Sequence, residues 1–475
     1  MMIHAATALI AWGVFAFGAV YPWAALPLVV GVIAVAGWQW RRGLVRFPRS
    51  VVIAAALVAA AMAVQLIPLP VGLLRNISPA GVSFLSAFDV AFANGIVQWH
   101  PLSVDPALTS HALGYFLLWA GWTASCAAAL SRGLSVRVLA RNIAAIGTVL
   151  AIIGLAQKAT FNDKLLWFWT PDHYAWNGFG PFVNRNHFAG WMLLAMCLTL
   201  GLARGYASRA GLAAAATWRE RLLALGSPVA APVLVTSAAA VVMACSLVWT
   251  MSRSGIIATA VAVCILIVAA AWRSGGRMQR WMAAGYGVCL LAGVVAWRGT
   301  DTLVSWYGNT GTWRWRLQLW QDTLPLLQDH WLTGSGLNTY GRLMLVETRT
   351  DQTVFPLQAH NDYLQLGVEG GLLVGIPAIF LVAAVGAMIV RALRTPQDDL
   401  AWWVRVGGAA GLCGMAVQEI SEFSLQIPGV ALLTATCLAM ALHHPAASHA
   451  RSQARSGRRQ ATQPGVGRVP LDPAA

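Results

Sequence analysis

The sequence predicts an all-α membrane protein with about twelve transmembrane helices and one large, partly helical loop on the outer side. Charged residues make up only 10% of the 475 residues and hydrophobic residues make up 58%, whereas soluble domains carry roughly 25% charged residues. The apolar residues also fall into long runs, and a helix that crosses a membrane needs about 20 mostly apolar residues. Both observations indicate a chain that lies mainly in lipid.

Twelve apolar runs are long enough to be spans. A single run of this kind is also found in the core of a soluble protein, but twelve in one chain indicate a bilayer. They lie near residues 4–20, 24–40, 51–68, 111–130, 138–157, 187–203, 229–249, 255–272, 281–297, 371–390, 402–419 and 427–443.

These runs define one transmembrane domain over residues 1–443, which includes an outer loop at 298–370 between spans nine and ten. No basic segment precedes the first run, so we expect it to be retained as a helix and not cleaved. Residues 444–475 form a basic tail rich in Arg, Ser, Gln, Pro and Ala, which predicts disorder.

The formal net charge of +15 follows from the orientation in the membrane. With the N-terminus in the cytoplasm, 22 of the 32 basic residues fall in inner connections or in the tail, as the positive-inside rule requires. The pattern predicts a multi-pass protein of the bacterial inner membrane with both termini cytoplasmic and with anionic lipids at the inner face. It argues against nucleic acid as a partner.

Three outer segments are long enough to carry a site, and the largest is the most informative. Residues 69–110 are amphipathic and rich in proline, and residues 158–186 are aromatic and polar. In the loop 298–370, apolar side chains recur at helical spacing over 313–327, which predicts an amphipathic helix at the outer membrane interface. A glycine turn follows at 334–340, and a second helix is predicted at 360–370.

The second helix carries a candidate proton acceptor. His360 lies at the helix start, where the helix dipole disfavours an imidazolium, so a neutral ring could accept a proton near pH 7. Asp362, Gln365 and Glu369 share one face at spacings of three and seven residues. A capping histidine that is hydrogen-bonded to backbone is the structural alternative.

Two arginines lie near the outer hydrocarbon boundary. Arg185 precedes the sixth span within 182–188, and Arg253 lies in a short turn between spans seven and eight. An arginine at this depth requires snorkelling or an anionic partner. Guanidinium groups match phosphate oxygens in bidentate fashion. The alternatives are therefore contact with lipid headgroups and binding of a polyprenyl diphosphate, whose departure the two charges would stabilise.

Further charged residues flank these segments. Arg314 and Arg316 lie on either side of Trp315 and could hold sugars or phosphate groups, or could anchor the helix at the interface. Glu419 and Glu422 bracket the outer end of the eleventh span, where we expect one of them to pair with an arginine.

Several of these segments together resemble the O-antigen ligase and polymerase superfamily of integral-membrane glycosyltransferases. Their order and spacing are more specific than any one of them, and the resemblance covers most of the chain between about 110 and 443. The segments are Trp313 to Trp320, His330 to Gly336, His360 to Gln365 with Glu369-Gly370-Gly371, Phe182 to Phe188, and Ser252 to Gly255.

The resemblance implies an enzyme that uses neither metal nor cofactor. Such enzymes transfer a glycan from undecaprenyl diphosphate to an acceptor hydroxyl on the periplasmic side, here with inversion. It implies that His360 is the general base and that Arg185 and Arg253 bind the diphosphate. Candidates to position the acceptor or substrate are Arg314, Arg316, Asn361, Asp362, Glu369 and His187. His187 could instead form hydrogen bonds at the helix start.

The acceptor and the class of protein leave alternatives. The acceptor could be another lipid-linked glycan, lipid A-core or a protein, and the segments favour a polymerase or ligase slightly. A flippase or other transporter would also have about twelve spans, but it would place ionisable groups near mid-bilayer, and the span centres here are almost free of charge. A metal-dependent transferase needs carboxylate ligands, and no Asp-x-Asp occurs in the chain.

Overall fold

The computed structural model describes residues 2–43, 47–131, 136–171, 178–212, 217–274, 311–347, 355–395 and 398–443. Eight of the described helices are long and apolar enough to cross a membrane. The predicted all-α membrane class is confirmed. The predicted ninth span, 281–297, the first part of the outer loop and the tail 444–475 lie outside the described residues, so the count of twelve spans stays a prediction.

Eleven of the twelve predicted runs coincide with helices among the described residues. Before residue 275 these helices are α1 (Met2–Phe15), α2 (Pro22–Arg41), α3 (Arg49–Val64), α4 (Val71–Ile77), α5 (Pro79–Phe88), α6 (Val90–Ala93), α7 (Pro106–Ser131), α8 (Val136–Ala159), α9 (Arg185–Arg209), α10 (Trp218–Leu225), α11 (Ala231–Trp249) and α12 (Arg253–Ser274). After residue 310 they are α13 (Gly311–Asp329), α14 (Tyr340–Glu347), α15 (Asp362–Arg394), α16 (Asp399–Gln418) and α17 (Pro428–Leu442).

Short elements connect these helices. Proline occupies the first turn of α2, α5 and α17, where its missing N–H has no intrahelical partner to lose. Two-residue strands β1 (Leu69–Pro70) and β2 (Trp99–His100) pair antiparallel. Single 3-10 turns cover Phe17–Ala19, Pro228–Ala230 and Ser424–Gln426.

Helix α9 forms the centre of the bundle and packs most closely against α16. A β-carbon at Gly201 would collide with the backbone of Trp403, and one at Gly407 would collide with the backbone of Cys197. Small residues at such a crossing let two helix backbones touch. This crossing fixes the outer end of α9, which begins at Arg185, beside the outer end of α16, which is followed by Glu419.

Helix α12 starts against the same end of α9. A β-carbon at Gly255 would lie 2.6 Å from the β-carbon of Ala189, so glycine is needed for this approach. The connecting turn from α11 passes through Met251 with φ of 57°. The tight turn and the close approach bring Arg253 to the outer end of α9.

The outer loop forms a small layer with its own apolar core. Leu319 and Leu326 of α13, Leu343 of α14 and Val368 of α15 are buried together with Val104. The predicted amphipathic helix at 313–327 extends over Gly311–Asp329. The layer seats α13 over the bundle.

The apolar stripe that the sequence indicated on α13 faces outward. Trp313, Leu317 and Leu324 are exposed, whereas Arg316 and Thr323 are buried on the packed face. An exposed apolar stripe is what a helix at a membrane interface requires. Arg316 therefore points into the protein.

Helix α15 is kinked at Gly371, which has φ of 54° and ψ of −160°. The predicted helix 360–370 is the outer part of α15, and it starts at Asp362 because Asn361 caps it: the Asn361 Oδ1 accepts from the Leu364 N–H at 3.0 Å. His360 precedes the cap with φ of 48°. The expectation that His360 is the first helical residue is therefore wrong by two positions.

The glycine segment 334–336 satisfies the backbone groups that the kink leaves open. The N–H groups of Leu372 and Leu373 donate to the carbonyls of Trp331 and Leu332 at 2.8 and 3.0 Å. The buried Gln65 side chain donates to the carbonyls of Thr333 and Glu369, both at 2.8 Å. Non-helical backbone at membrane depth needs such partners, and they hold α15 in one orientation.

Candidate functional site

A buried carboxylate lies at the outer end of the bundle, in the turn between α16 and the Ser424–Gln426 turn. The side chain of Glu422 is fully buried. It forms an ion pair with the Arg316 guanidinium, and its Oε1 also accepts a hydrogen bond from Asn186 Nδ2 at 2.6 Å. Its Oε2 lies 3.7 Å from His360 Nδ1. A single carboxylate thus joins residues from three separate elements.

The helix caps decide which side chains reach this carboxylate. Asn184 caps α9 by accepting the N–H of Asn186 at 2.9 Å, and its carbonyl accepts the His187 N–H at 3.1 Å. Capping fixes the first residue of a helix and therefore the face on which each following side chain lies. Asn186 and His187 consequently point towards the turn that carries Glu422.

His360 is held between two aromatic rings. Its imidazole contacts Trp315 at 5.4 Å and 80° and Phe423 at 4.8 Å and 84°, both edge-to-face. Phe423 also contacts His187 at 4.7 Å. The positive φ of His360 is a strained conformation for a non-glycine residue, and such strain persists only where surrounding contacts impose it.

The two arginines that the sequence indicated lie beside this group. Arg185 interacts electrostatically with Glu422, which attracts it, and with Arg316 and Arg253, which repel it. Here Arg185, Asn186, His187, Arg253, Arg316 and His360 around Glu422 are called the Glu422 cluster. Its three guanidinium groups outnumber its one carboxylate, so an anion of higher charge would complement it.

Glu422 is ionised in this setting. Burial by itself would raise the pKa of Glu422, but the adjacent His360 imidazole and the charges of Arg316, His360 and His187 outweigh burial and hold that pKa below its ordinary value. The residue lies outside the spans, after the last residue of α16. The carboxylate is therefore a fixed negative charge within the cluster.

Asp362 and Glu419 form a separate acid pair next to the cluster. The Asp362 N–H donates to the Glu419 carbonyl at 3.0 Å, and Gln426 Nε2 donates to Asp362 Oδ1 at 2.7 Å. Burial, followed by the charge of Asp362, raises the pKa of Glu419 well above its ordinary value. The pair joins the start of α15 to the end of α16, which sets the position of His360.

The remaining candidates serve other contacts. The buried Glu369 accepts from the N–H groups of Asn338 and Tyr340 at 2.8 and 2.9 Å, so it anchors the glycine turn. Asn361 is the cap of α15. Arg314 is exposed on the face of α13 opposite Arg316. Positioning of substrate by these three residues stays a prediction.

Glu422 is the member of the cluster that sequence reasoning undervalued. The expectation that Glu419 or Glu422 pairs with an arginine is confirmed by the ion pair with Arg316. The central place of Glu422 was not predicted, because nothing local distinguishes it from Glu419. The available signal was that an acid at the outer end of a span requires a cationic partner when it is buried.

Residues 238–379 match the family model for O-antigen ligase. This segment belongs to the O-antigen ligase and polymerase superfamily. The resemblance drawn from the sequence is thereby confirmed. The O-antigen ligase segment covers less than a third of the chain, from α11 into α15, and it contains Arg253, Arg316 and His360, whereas Arg185 and Glu422 lie outside it. No curated protein matches the chain.

Within the described ranges, no group of three His, Cys, Asp or Glu side chains is placed to hold a metal ion. Membership of the O-antigen ligase superfamily supports a membrane glycosyltransferase with a lipid-linked glycan donor and a glycan acceptor. The independence from metal and cofactor stays a prediction.

Proposed function

We propose that this protein transfers a glycan from undecaprenyl diphosphate to an acceptor hydroxyl at the periplasmic face of the bacterial inner membrane. One observation carries the proposal: three guanidinium groups and a histidine surround the buried Glu422 carboxylate at the outer end of the bundle. The family match supports the reaction class. Both termini lie in the cytoplasm in this scheme.

Arg185 and Arg253 bind the diphosphate. Charge develops on the phosphate oxygens as the bond to the sugar breaks, and preorganised cations stabilise that charge without reorganisation. Guanidinium forks also match the geometry of phosphate oxygens. Their position at the start of α9 and of α12, beside apolar span surface, suits a donor whose lipid chain stays in the bilayer.

His360 acts as the general base. The acceptor oxygen attacks the anomeric carbon and forms the new glycosidic bond, while its proton passes to the imidazole. The bond from the anomeric carbon to the phosphate oxygen breaks, and its electron pair leaves with undecaprenyl diphosphate. Attack from the face opposite the leaving group inverts the anomeric centre.

The acceptor is either a second lipid-linked glycan, as for a polymerase, or lipid A-core, as for a ligase. Both supply a sugar hydroxyl, so the same cluster serves either reaction. We favour these acceptors over a protein because the outer segments of the chain resemble polymerases and ligases.

The test is reconstitution of the purified protein in liposomes with a lipid-linked oligosaccharide, an acceptor glycolipid and EDTA. We expect transfer by the wild type and a loss of about 100-fold or more in His360→Ala, since general-base catalysis contributes roughly 10² to 10⁴. His111→Ala is the matched control because His111 is exposed near the start of α7. Transfer that requires added metal, or full activity of His360→Ala, would contradict the proposal.

A further inference from the structure

Two buried polar atoms face each other across a short gap. His360 Nδ1 and Glu422 Oε2 are 3.7 Å apart, and neither atom has a hydrogen-bond partner among the residues that the structure describes. An unpaired buried polar atom is costly, and two that face each other complete a hydrogen bond after a small approach. Hydrogen bonds between catalytic groups are often long before substrate binds.

The surrounding contacts leave Glu422 Oε2 available to His360 alone. Arg316 and Asn186 both bind Oε1 of the same carboxylate. Edge-to-face contacts with Trp315 and Phe423 restrict rotation of the imidazole. The side chain of His360 is 21% exposed while its Nδ1 is buried, so the exposed atoms are others on the ring or its stem.

Resting on the function proposed above, we propose that Glu422 is the positioning residue of His360. The Nδ1–H donates to Glu422 Oε2, which selects the tautomer whose lone pair is on Nε2. The acceptor hydroxyl gives its proton to Nε2, and the resulting imidazolium is stabilised by the carboxylate. The proton on Nδ1 stays there, and Glu422 remains ionised throughout.

A carboxylate in this position strengthens a histidine base in two ways. It fixes the tautomer and the ring orientation, and it favours the imidazolium that proton transfer creates. The charged groups that face Glu422 are Arg185 and His187 from α9, Arg316 from α13 and His360. Asp362 and Glu419 face it from the adjoining acid pair.

The competing explanation is that Glu422 only neutralises Arg316. A buried ion pair that loses one member leaves an uncompensated charge, whereas removal of both members is often tolerated. The two explanations therefore predict different behaviour for a double variant and different dependence of activity on pH.

The experiment measures kcat and KM for glycan transfer, as a function of pH, in the reconstituted full-length protein. For Glu422→Gln we expect kcat to fall about 10- to 100-fold, the range found when the carboxylate partner of a functional histidine is removed, with a smaller change in KM for the donor. The acid limb of the kcat/KM profile should move to lower pH, because the carboxylate no longer favours the imidazolium. Glu422→Asp should keep the acid limb near its wild-type position.

Two further variants separate positioning from a structural role. Glu419→Gln replaces a neighbouring buried acid by its neutral counterpart, and its acid limb should stay at the wild-type pH. Arg316→Met/Glu422→Gln removes both members of the ion pair and should remain as slow as Glu422→Gln. A wild-type pH profile in Glu422→Gln, or recovery of kcat in the double variant, would overturn the positioning role.

The His360→Ala variant distinguishes the two proposals. If His360→Ala is inactive while Glu422→Gln behaves as the wild type, only the role of Glu422 is wrong. If His360→Ala transfers glycan at the wild-type rate, the proposed base is wrong and the role of Glu422 is rejected with it.

Discussion

Arg316 and Glu422 form a buried ion pair between two residues that are 106 positions apart in the chain. The pair joins the amphipathic helix α13 of the outer layer to the turn that follows α16. It therefore links the outer loop to the membrane bundle at the point where the candidate catalytic residues meet.

Substitution of Arg316 should affect both stability and activity, whereas substitution of Arg314 should affect neither strongly. Arg316→Ala leaves the buried Glu422 without its cationic partner, which costs about 3–5 kcal/mol when one member of a buried pair is removed. Arg314→Ala is the matched control, two residues away and exposed. The measurement is the thermal midpoint in detergent together with the transfer rate. Equal behaviour of the two variants would contradict the assigned role of the ion pair.

Substitution of the two boundary arginines should weaken turnover of the donor. Arg185→Ala and Arg253→Ala each remove a guanidinium group from the leaving diphosphate, and lysine should restore activity only in part because it lacks the bidentate fork. The measurement is the transfer rate against donor concentration, with Arg342→Ala as a control, since Arg342 forms an exposed ion pair with Asp105 at 3.1 Å. Wild-type turnover in both alanine variants would exclude them from the site.

Stability should respond to acid through Glu422. A carboxyl group whose pKa is lowered on folding stabilises the protein above its ordinary value, 4.5 for glutamate, and that contribution is lost as pH falls through the lowered value. Between about pH 5 and pH 3, the wild type should therefore lose more thermal stability than Glu422→Gln does.

Glu419 should show the opposite sign. Its raised pKa means that its contribution is present below the ordinary value of 4.5 and is lost as pH rises through the raised value. The stability of Glu419→Gln relative to the wild type should therefore increase with pH. Thermal midpoints measured by tryptophan fluorescence at several pH values test both signs. A parallel response of the three proteins would show that neither carboxyl has a shifted pKa.

The glycine turn at the kink should not tolerate a side chain. Gly334 has φ of 69°, and a β-carbon there would collide with the backbone carbonyl of Glu369. Gly334→Ala should lower stability by more than the roughly 1–2 kcal/mol of backbone strain alone. Gly72→Ala in α4 is the control, because a β-carbon added at Gly72 would meet no atom within 4 Å. A thermal midpoint unchanged by Gly334→Ala would contradict the contact.

The orientation in the membrane is testable by cysteine labelling with a membrane-impermeant maleimide in intact spheroplasts. Trp331 and Trp218 are both exposed, and they lie in connections assigned to opposite sides. Trp331→Cys should be labelled and Trp218→Cys should be labelled only after lysis. The reverse result would overturn the topology, and the protein without an added cysteine gives the background.

Much of the fold follows from local pattern. The apolar runs predicted the positions of eleven helices, because a segment in lipid must satisfy its own backbone and has few alternatives to a helix. The cap of α15 at Asn361 was missed by two residues, since His360 and Asn361 are both plausible starts and only the cap geometry separates them. The outward orientation of Trp313 and Leu317 could not be assigned to lipid or to protein from spacing alone.

Amino-acid sequence by itself determined the membrane class, the outer segments and the identity of Arg185, Arg253 and His360 as candidates, because hydrophobic periodicity and residue chemistry are local properties. Only the tertiary structure decided that Arg316 points inward and that Glu422 is the partner of both Arg316 and His360. The physical reason is that an ion pair between distant segments depends on helix crossings, such as that at Gly201 and Gly407, which bring the outer ends of α9 and α16 together.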